Sequence, residues 1–289
     1  MPAFYAHYRF GKQVVEEMKR RAKEERTASA IDAESVQESM GETDWKGLVR
    51  TIERHRTQFD IGLQGPDIFF FYRPYAPSAV ARYGHHLHKV SALPFFENGL
   101  SVVERHGRDS GQYAYLIGFI CHFALDSQCH PRIAEMIEET GVQHLELEEE
   151  LEKYLLRRDG EEPLRFPLAD LVPSDLATCR SIAPFYEDIT PKIVKQSLGD
   201  LRRVKKLLTA PGKGKQGVIN TAMRMTGRFS QLKGLMHQRR DNPACADTNI
   251  ALFSLMEKAA CQGLYLIECF DHSLVRGETL CEDFDRNFE

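Results

Sequence analysis

Three side chains of the metal-ligand type recur at four-residue intervals in an otherwise apolar segment. They are His122, Asp126 and His130, within the stretch from Tyr115 to Pro131. On a helix, steps of four keep residues near one face, about 40° apart, so the three would form a stripe. Burying a carboxylate and two imidazoles costs several kcal/mol unless a cation or a hydrogen-bond network compensates them. The pattern favours a buried metal site, although a local His–Asp hydrogen bond is the alternative for any one pair.

A second pair with the same spacing follows. His144 and Glu148 also stand four residues apart and would share one helical face, which makes both of them candidate ligands. The neighbouring Glu146, Glu149 and Glu150 are interpreted as solvated surface charge.

An isolated carboxylate upstream is a further candidate. Asp67 follows the Gly65-Pro66 turn and precedes the aromatic run from Phe69 to Tyr72. It is a candidate ligand, with a helix N-cap as the alternative role. The aromatic side chains could line a pocket for a quaternary amine through cation–π contacts, or they could belong to the core.

Three histidines lie close together a little further along the chain. His85, His86 and His88 form the cluster, and not all of them can bind a single centre. The residues alone do not select one of the three.

Helical periodicity predicts the elements that must position these side chains. Apolar residues recur at three- and four-residue steps in five stretches, namely Phe10 to Ala22, Leu116 to Leu125, Leu145 to Leu156, Ile193 to Leu208 and Ile250 to Leu274. Breakers separate the helical segments at Gly65-Pro66, Pro74 to Pro77, Pro131, Pro163 to Pro173 and Pro211 to Gly214. The sequence predicts an all-α bundle of roughly eight to ten helices with a metal cluster in its core.

Composition narrows the class of protein. With 42% hydrophobic and 28% charged residues in 289, the chain has the composition of an ordinary globular protein, and we expect residues 1–289 to form a single domain. The net charge of −4 argues against duplex nucleic acid as a partner. Glu25 to Thr43 is interpreted as a polar surface connection. Arg202 to Lys215 is interpreted as basic solvated surface, with contact to anionic lipid or substrate as the alternative.

The distribution of cysteines and the first residues of the sequence predict the cellular compartment of the protein. Seven scattered cysteines argue against a disulfide framework and against a Cys-rich zinc ribbon. The chain begins without the pattern of a secretory signal, and no segment approaches the ~20 apolar residues of a membrane span. We therefore expect a cytoplasmic protein without a transmembrane segment.

In combination these motifs resemble the zinc-dependent phospholipase C family, which includes bacterial phosphatidylcholine-hydrolysing enzymes and alpha-toxins, with fungal single-strand nucleases as more distant relatives. The resemblance covers roughly residues 1 to 160, and the remainder is expected to complete the helical bundle. In this family the ligand histidine follows a glycine and three variable residues, which selects His88 over His85 and His86.

The resemblance implies a set of ligands for each of three zinc ions. The first ion would be held by Asp67, His88, His122 and Asp126, the second by His130, His144 and Glu148, and the third by His7 together with the shared Asp126.

The resemblance also implies an activity. Two to three zinc ions would activate water for hydrolysis of a phosphodiester, with Asp67 acting as both ligand and base. The substrate would be a small phosphodiester or a phospholipid head group. One alternative is a structural or sensory zinc protein. Another is a single-strand nuclease-like phosphodiesterase, for which the sequence lacks a basic groove with interleaved aromatic residues.

Overall fold

The computed structural model describes residues 3–31 and 43–289, and these ranges form α-helices and short 3-10 helices without a β-strand. The α-helices are α1 (Phe4–Ile31), α2 (Trp45–Arg54), α3 (Arg56–Gly62), α4 (Ala79–Leu87), α5 (Leu93–His106), α6 (Gly111–Thr140), α7 (His144–Arg158), α8 (Leu176–Ile182), α9 (Pro191–Leu208), α10 (Lys213–Met225), α11 (Phe229–Leu232) and α12 (Ala246–Arg276). The prediction of an all-α fold is confirmed for this part of the chain.

The helices of the described ranges number twelve, which is more than the eight to ten predicted. The difference comes from short elements: α3 and α8 have seven residues each and α11 has four. Helices of two turns or fewer show too little periodicity to be recognised in a sequence. The long helices coincide with the five predicted stretches.

The first helix is longer than its apolar pattern indicated. The backbone of α1 continues to Ile31, so the predicted surface connection from Glu25 to Thr43 begins as helix. Residues 32–42 of that predicted connection lie outside the described residues.

The central helix is α6, whose residues from Tyr113 to Asp126 are all buried. Its first turn is capped by the Ser110 hydroxyl, which accepts a hydrogen bond from the Tyr113 N–H at 3.2 Å. Pro131, predicted to separate two helices, lies inside α6. Proline removes one helical hydrogen bond, but packing on both sides of this position outweighs that loss. Helix α6 ends instead at Thr140, where Gly141 with its φ of 69° acts as the C-cap.

Two glycines allow α3 to cross α6 at very short range. A Cβ atom on Gly62 would lie 2.2 Å from the carbonyl oxygen of Tyr115, and one on Gly118 would lie 2.3 Å from that of Phe59. Any larger residue at either position would push the helices apart. This crossing places the 3-10 helix Gly65–Phe69 directly against the middle of α6.

The last long helix, α12, packs against α6 and α7 and supplies core residues such as Leu252, Leu264 and Phe270. Together with the preceding turn it is also, among the described residues, the one helix long and apolar enough to cross a membrane. From the sequence, no segment was expected to approach the length and apolarity of a membrane span. Length and composition are weak indicators, because a core helix meets the same criteria.

The acidic run of α7 is buried, contrary to the prediction that Glu146, Glu149 and Glu150 are solvated. These three glutamates are 8%, 1% and 3% exposed, in that order. The charges are compensated by Lys153, which is fully buried beside them, and by a segment from the second half of the chain. The contacts to that segment are Lys233 Nζ to Glu146 (2.6 Å), the Gln238 N–H to Glu149 (2.9 Å) and the Asn242 N–H to Glu150 (2.8 Å). A charge run therefore marks an internal interface here.

The helix crossing predicts a matched pair of glycine variants. Gly118→Ala forces a methyl group into the α3 backbone and is expected to lower the free energy of unfolding by about 3 kcal/mol. Gly199→Ala, in the middle of α9 with no atom within 4 Å of the new Cβ, should instead raise it by up to about 1 kcal/mol. Urea denaturation of both variants measures the difference. Equal effects would contradict the close crossing.

Candidate metal centre

Five structural elements bring all eight predicted ligand residues into one region of the core. The first turn of α1 supplies His7, and the 3-10 helix Gly65–Phe69 supplies Asp67. His88 caps the C-terminus of α4. The remaining five lie on two helices: His122, Asp126 and His130 on α6, and His144 and Glu148 on α7.

The carboxylate of Asp126 lies among four imidazole rings. One oxygen is 3.2 Å from Nε2 of His7 and 3.8 Å from Nε2 of His130. The other oxygen is 3.2 Å from Nε2 of His122 and 3.7 Å from Nε2 of His88. These four histidines come from three helices, so a single buried anion connects the whole centre.

The ligand atoms form three groups, each with all of its atoms within 4.8 Å of one another. The groups are Asp67, His88 and His122; His130, His144 and Glu148; and His7, His122 and Asp126. His122 belongs to two of them. Asp126 approaches His88 and His122 of the first group without being a member of it.

Hydrogen bonds to backbone carbonyl groups orient three of the histidines. Nδ1–H of His122 donates to the carbonyl oxygen of Leu63 at 3.2 Å, and Nδ1–H of His88 donates to that of Gly84 at 3.1 Å. Nδ1–H of His130 donates to the carbonyl oxygen of Phe288, in the C-terminal segment, at 2.7 Å. Each bond keeps a proton on Nδ1 and directs Nε2 to the centre, which is the usual arrangement of metal-binding histidine.

Polar atoms without hydrogen-bond partners are concentrated at this centre. Within the described part of the chain they include both oxygens of Asp67, Nε2 of His88 and of His122, and one oxygen each of Asp126 and Glu148. Nε2 of His88 lies 3.0 Å from an Asp67 oxygen, yet the two do not form a hydrogen bond. Unpaired buried groups of this kind are costly, and a shared cation would compensate them. The donor set of imidazole and carboxylate fits zinc.

The electrostatics of the centre also favour a bound cation. Burial raises the pKa of Asp126, but His122, His130 and His7 outweigh it and hold the pKa well below its usual range. Burial lowers the pKa of His122 to about 4, which leaves this ring neutral. Burial would also lower the pKa of His130, but Asp126 and Glu148 outweigh it and raise the pKa to about 10. The space between these two carboxylates therefore attracts positive charge, which zinc can supply in place of a proton.

The structure shows the surroundings of Asp67 and of the three clustered histidines, for which the sequence left alternatives. The side chain of Asp67 does not cap its 3-10 helix, so the N-cap role is absent. Of the clustered histidines, His88 is buried and turned to the centre, whereas His85 and His86 are exposed. His85 stacks on Phe70 with ring centroids 4.0 Å apart.

The aromatic run after Asp67 is divided between core and surface. Phe69 is fully buried and meets Tyr186 edge to face, with ring centroids 4.8 Å apart. The following residues, Phe70 to Tyr72, are half-buried. Phe70 lies next to the centre, 5.1 Å from the ring of His88.

Phe288 is a contributor that the motifs did not indicate. Its ring packs against His88 and His122, with centroids 5.0 Å and 5.8 Å away, and its N–H donates to the carbonyl oxygen of His88 at 3.2 Å. Backbone groups carry no sequence signature, so these hydrogen bonds could not be recognised. The apolar Phe284 and Phe288 near the end of the sequence were the available signal.

A family model for zinc-dependent phospholipase C matches residues 6–201. The chain belongs to this family. The match contains all eight candidate ligands and extends beyond the part of the sequence in which the resemblance was recognised. Neither the curated proteins nor the solved structures contain a significant match to the chain. The family is zinc-dependent, and the buried His/Asp/Glu groups are compatible with metal binding.

Metal removal should destabilise this member of the family. We expect at least two zinc ions per chain after metal-replete growth, and chelation should lower the melting temperature by about 10 °C or more, because bound metal stabilises only the folded state. Elemental analysis and thermal melts measure both quantities. Less than one transition-metal ion per chain would contradict the zinc assignment.

The neighbouring histidines provide the control. His88→Ala should reduce the zinc content, whereas His86→Ala, an exposed residue of the same cluster, should retain it.

Proposed function

We propose that this protein is a zinc-dependent phosphodiester hydrolase of the phospholipase C type, with a cluster of two to three zinc ions. The observation that carries the proposal is the set of three adjacent ligand groups, linked through His122 and Asp126, in which several buried ligand atoms lack hydrogen-bond partners. Ions bound to linked groups would lie close enough to act on one phosphoryl group.

The ligand sets implied by the family resemblance are retained as proposals. One ion would be held by Asp67, His88, His122 and Asp126, a second by His130, His144 and Glu148, and a third by His7 and Asp126. The third set is the poorest in protein ligands, although His122 also lies within reach of it and stacks on His7 with ring centroids 4.5 Å apart. We therefore expect it to bind most weakly.

Zinc in such a cluster lowers the pKa of a bound water and neutralises charge on the phosphoryl group. The protein would contribute a fixed geometry, because carbonyl groups hold three of the imidazoles in place. Asp67 would contribute a second function as base, since it is buried and neither of its oxygens accepts a hydrogen bond from another residue.

The proposed substrate is a phospholipid head group or a small phosphodiester. Phe70 is half-buried beside the centre, and its ring would contact a quaternary amine bound there. This interaction would favour a choline-type head group over an unsubstituted amine.

A structural or sensory zinc protein is the second candidate, and the depth of the centre favours it. His122 is fully buried, and Asp67 and His88 are only 6% and 5% exposed. His144 is the accessible ligand, with 42% of its side chain exposed. Structural zinc sites are closed, whereas catalytic sites keep one position for water.

We also propose that the chain acts as one domain, in a reducing compartment such as the cytoplasm. Contacts from Phe288 and α12 to the region of the family match support a single unit. All seven cysteines are unpaired, which supports the proposed location.

Turnover assays test the proposal directly. The zinc-loaded protein should hydrolyse a choline phosphodiester or phospholipid, chelation should abolish hydrolysis, and added zinc should restore it. Single-stranded DNA is assayed in parallel, and cleavage of DNA alone would indicate the nuclease-like activity. Bound zinc without turnover on any of these substrates would favour the structural candidate.

The carboxylates of Asp126 on α6 and Glu148 on α7 should differ in their importance for turnover. Asp126→Asn should reduce turnover more than Glu148→Gln, because four imidazoles surround Asp126 whereas two contact Glu148. Turnover and zinc content are measured on both variants after their folding is verified. A larger loss in Glu148→Gln would contradict the proposed bridging role of Asp126.

A further inference from the structure

Basic residues are segregated in one part of the second half of the chain. The forty residues from Leu201 to Arg240 contain eleven Lys and Arg and no Asp or Glu, in a chain whose net charge is −4. Nine of the eleven are exposed. The segment comprises the end of α9, α10, α11 and the turn after them, and it lies almost entirely beyond the family match. It therefore forms a local cationic surface on an acidic protein.

The face of α10 that packs against the protein contains two polar residues and a methionine. Gln216 and Met223 are buried, and Gln216 Nε2 donates to the carbonyl oxygen of His237 at 2.9 Å. Asn220 Nδ2 donates to Gln238 Oε1 at 3.0 Å. Gln216, Asn220 and Met223 follow the i, i+4, i+7 spacing of one helical face, so this face attaches α10 to the protein.

The opposite face of α10 is apolar and exposed. Val218, Ala222 and Met225 repeat the same i, i+4, i+7 spacing, displaced by two residues, and a displacement of two corresponds to about 200° around the helix. Val218 is 72% exposed and Met225 is 85% exposed. This arrangement is the reverse of an ordinary surface helix, which buries its apolar face.

Exposed cations flank this apolar stripe. Lys213 begins the helix, and Arg224 and Arg228 lie near its end, all exposed. Leu207, at the end of the preceding helix α9, adds another apolar side chain that is 59% exposed. An exposed apolar stripe bordered by Lys and Arg is the pattern of helices that lie in a membrane interface.

We propose that the outer face of α10, with its flanking cations, docks the protein on an anionic lipid surface. The cations would be attracted to acidic head groups, while Val218 and Met225 would enter the boundary between head groups and acyl chains. Nucleic acid would use the same cations, but it would leave the exposed Val and Met side chains without a role. This inference rests on the surface alone and does not require that the metal centre be catalytic.

The basic segment also contacts the start of α7, where the accessible ligand of the metal centre lies. A Cβ atom on Gly234, in the same basic segment, would lie 2.1 Å from the carbonyl oxygen of Leu145. Leu145 is the neighbour of His144, the half-exposed ligand at the start of α7. The same segment therefore carries both the proposed docking surface and a contact to that end of α7.

Vesicle co-sedimentation of the full chain tests the proposal. Binding is compared between vesicles of phosphatidylcholine alone and vesicles with about one third phosphatidylserine, at low and high salt. We expect tight, salt-sensitive binding to the anionic vesicles and little binding to the neutral ones. Lys213→Glu with Arg228→Glu should weaken anionic binding about twentyfold or more. Val218→Ser with Met225→Ser should weaken it about tenfold.

Matched variants elsewhere on the surface are the controls. Lys46→Glu with Lys192→Glu, and Ile250→Ser with Val275→Ser, exchange residues outside the segment that are also exposed, and should change binding less than about twofold. Hydrolysis of a soluble phosphodiester is measured for every variant. Lost vesicle binding with unchanged hydrolysis separates this proposal from that of the metal centre.

Three results would overturn the docking proposal. The first is equal binding of the unmodified protein to neutral and anionic vesicles. The second is tight binding to duplex DNA that depends on Lys213 and Arg228 but not on Val218 and Met225, which would assign the surface to nucleic acid. The third is self-association that Val218→Ser with Met225→Ser abolishes, in a protein that does not bind vesicles, which would assign the apolar face to a second copy.

Discussion

The negative charge of Asp126 in the centre of the bundle is the constraint on which the remaining structure depends. The residue is 3% exposed and lies on the most deeply buried helix, so its carboxylate requires compensation from several directions. Four imidazoles supply it, and they reach the centre from α1, the end of α4 and α6. Folding of those helices and assembly of the metal centre are therefore coupled, and bound cations would stabilise both.

The positions of the imidazoles depend in turn on backbone atoms that lie far apart in the chain. Close packing of α3 on α6 places the carbonyl oxygen of Leu63 against His122, and this approach requires glycine at the crossing. The segment around Phe288 packs against His88 and His122 and orients His130. The end of the chain thus completes a centre whose candidate ligands all lie between His7 and Glu148.

A second set of buried charges joins α7 to a later segment of the chain. The carboxylates of Glu146, Glu149 and Glu150 would be unstable in the interior without their contacts to Lys153 and to residues 233–242. Residues 233–240 belong to the basic segment from Leu201 to Arg240, which also contains α10. The Lys233–Glu146 ion pair attaches one side of the segment to α7, while Lys213, Arg224 and Arg228 are exposed.

The sequence by itself determined the helical class, the long helices and the alignment of His122, Asp126 and His130, because these follow from local periodicity. The family resemblance selected His88, and the structure shows it buried and turned to the centre. Only the tertiary structure decided that Pro131 lies within a helix, that the acidic run of α7 is internal, and which backbone carbonyls orient the ligands. Those features depend on contacts between residues distant in the chain, and neither helical propensity nor the spacing of residue types records such contacts.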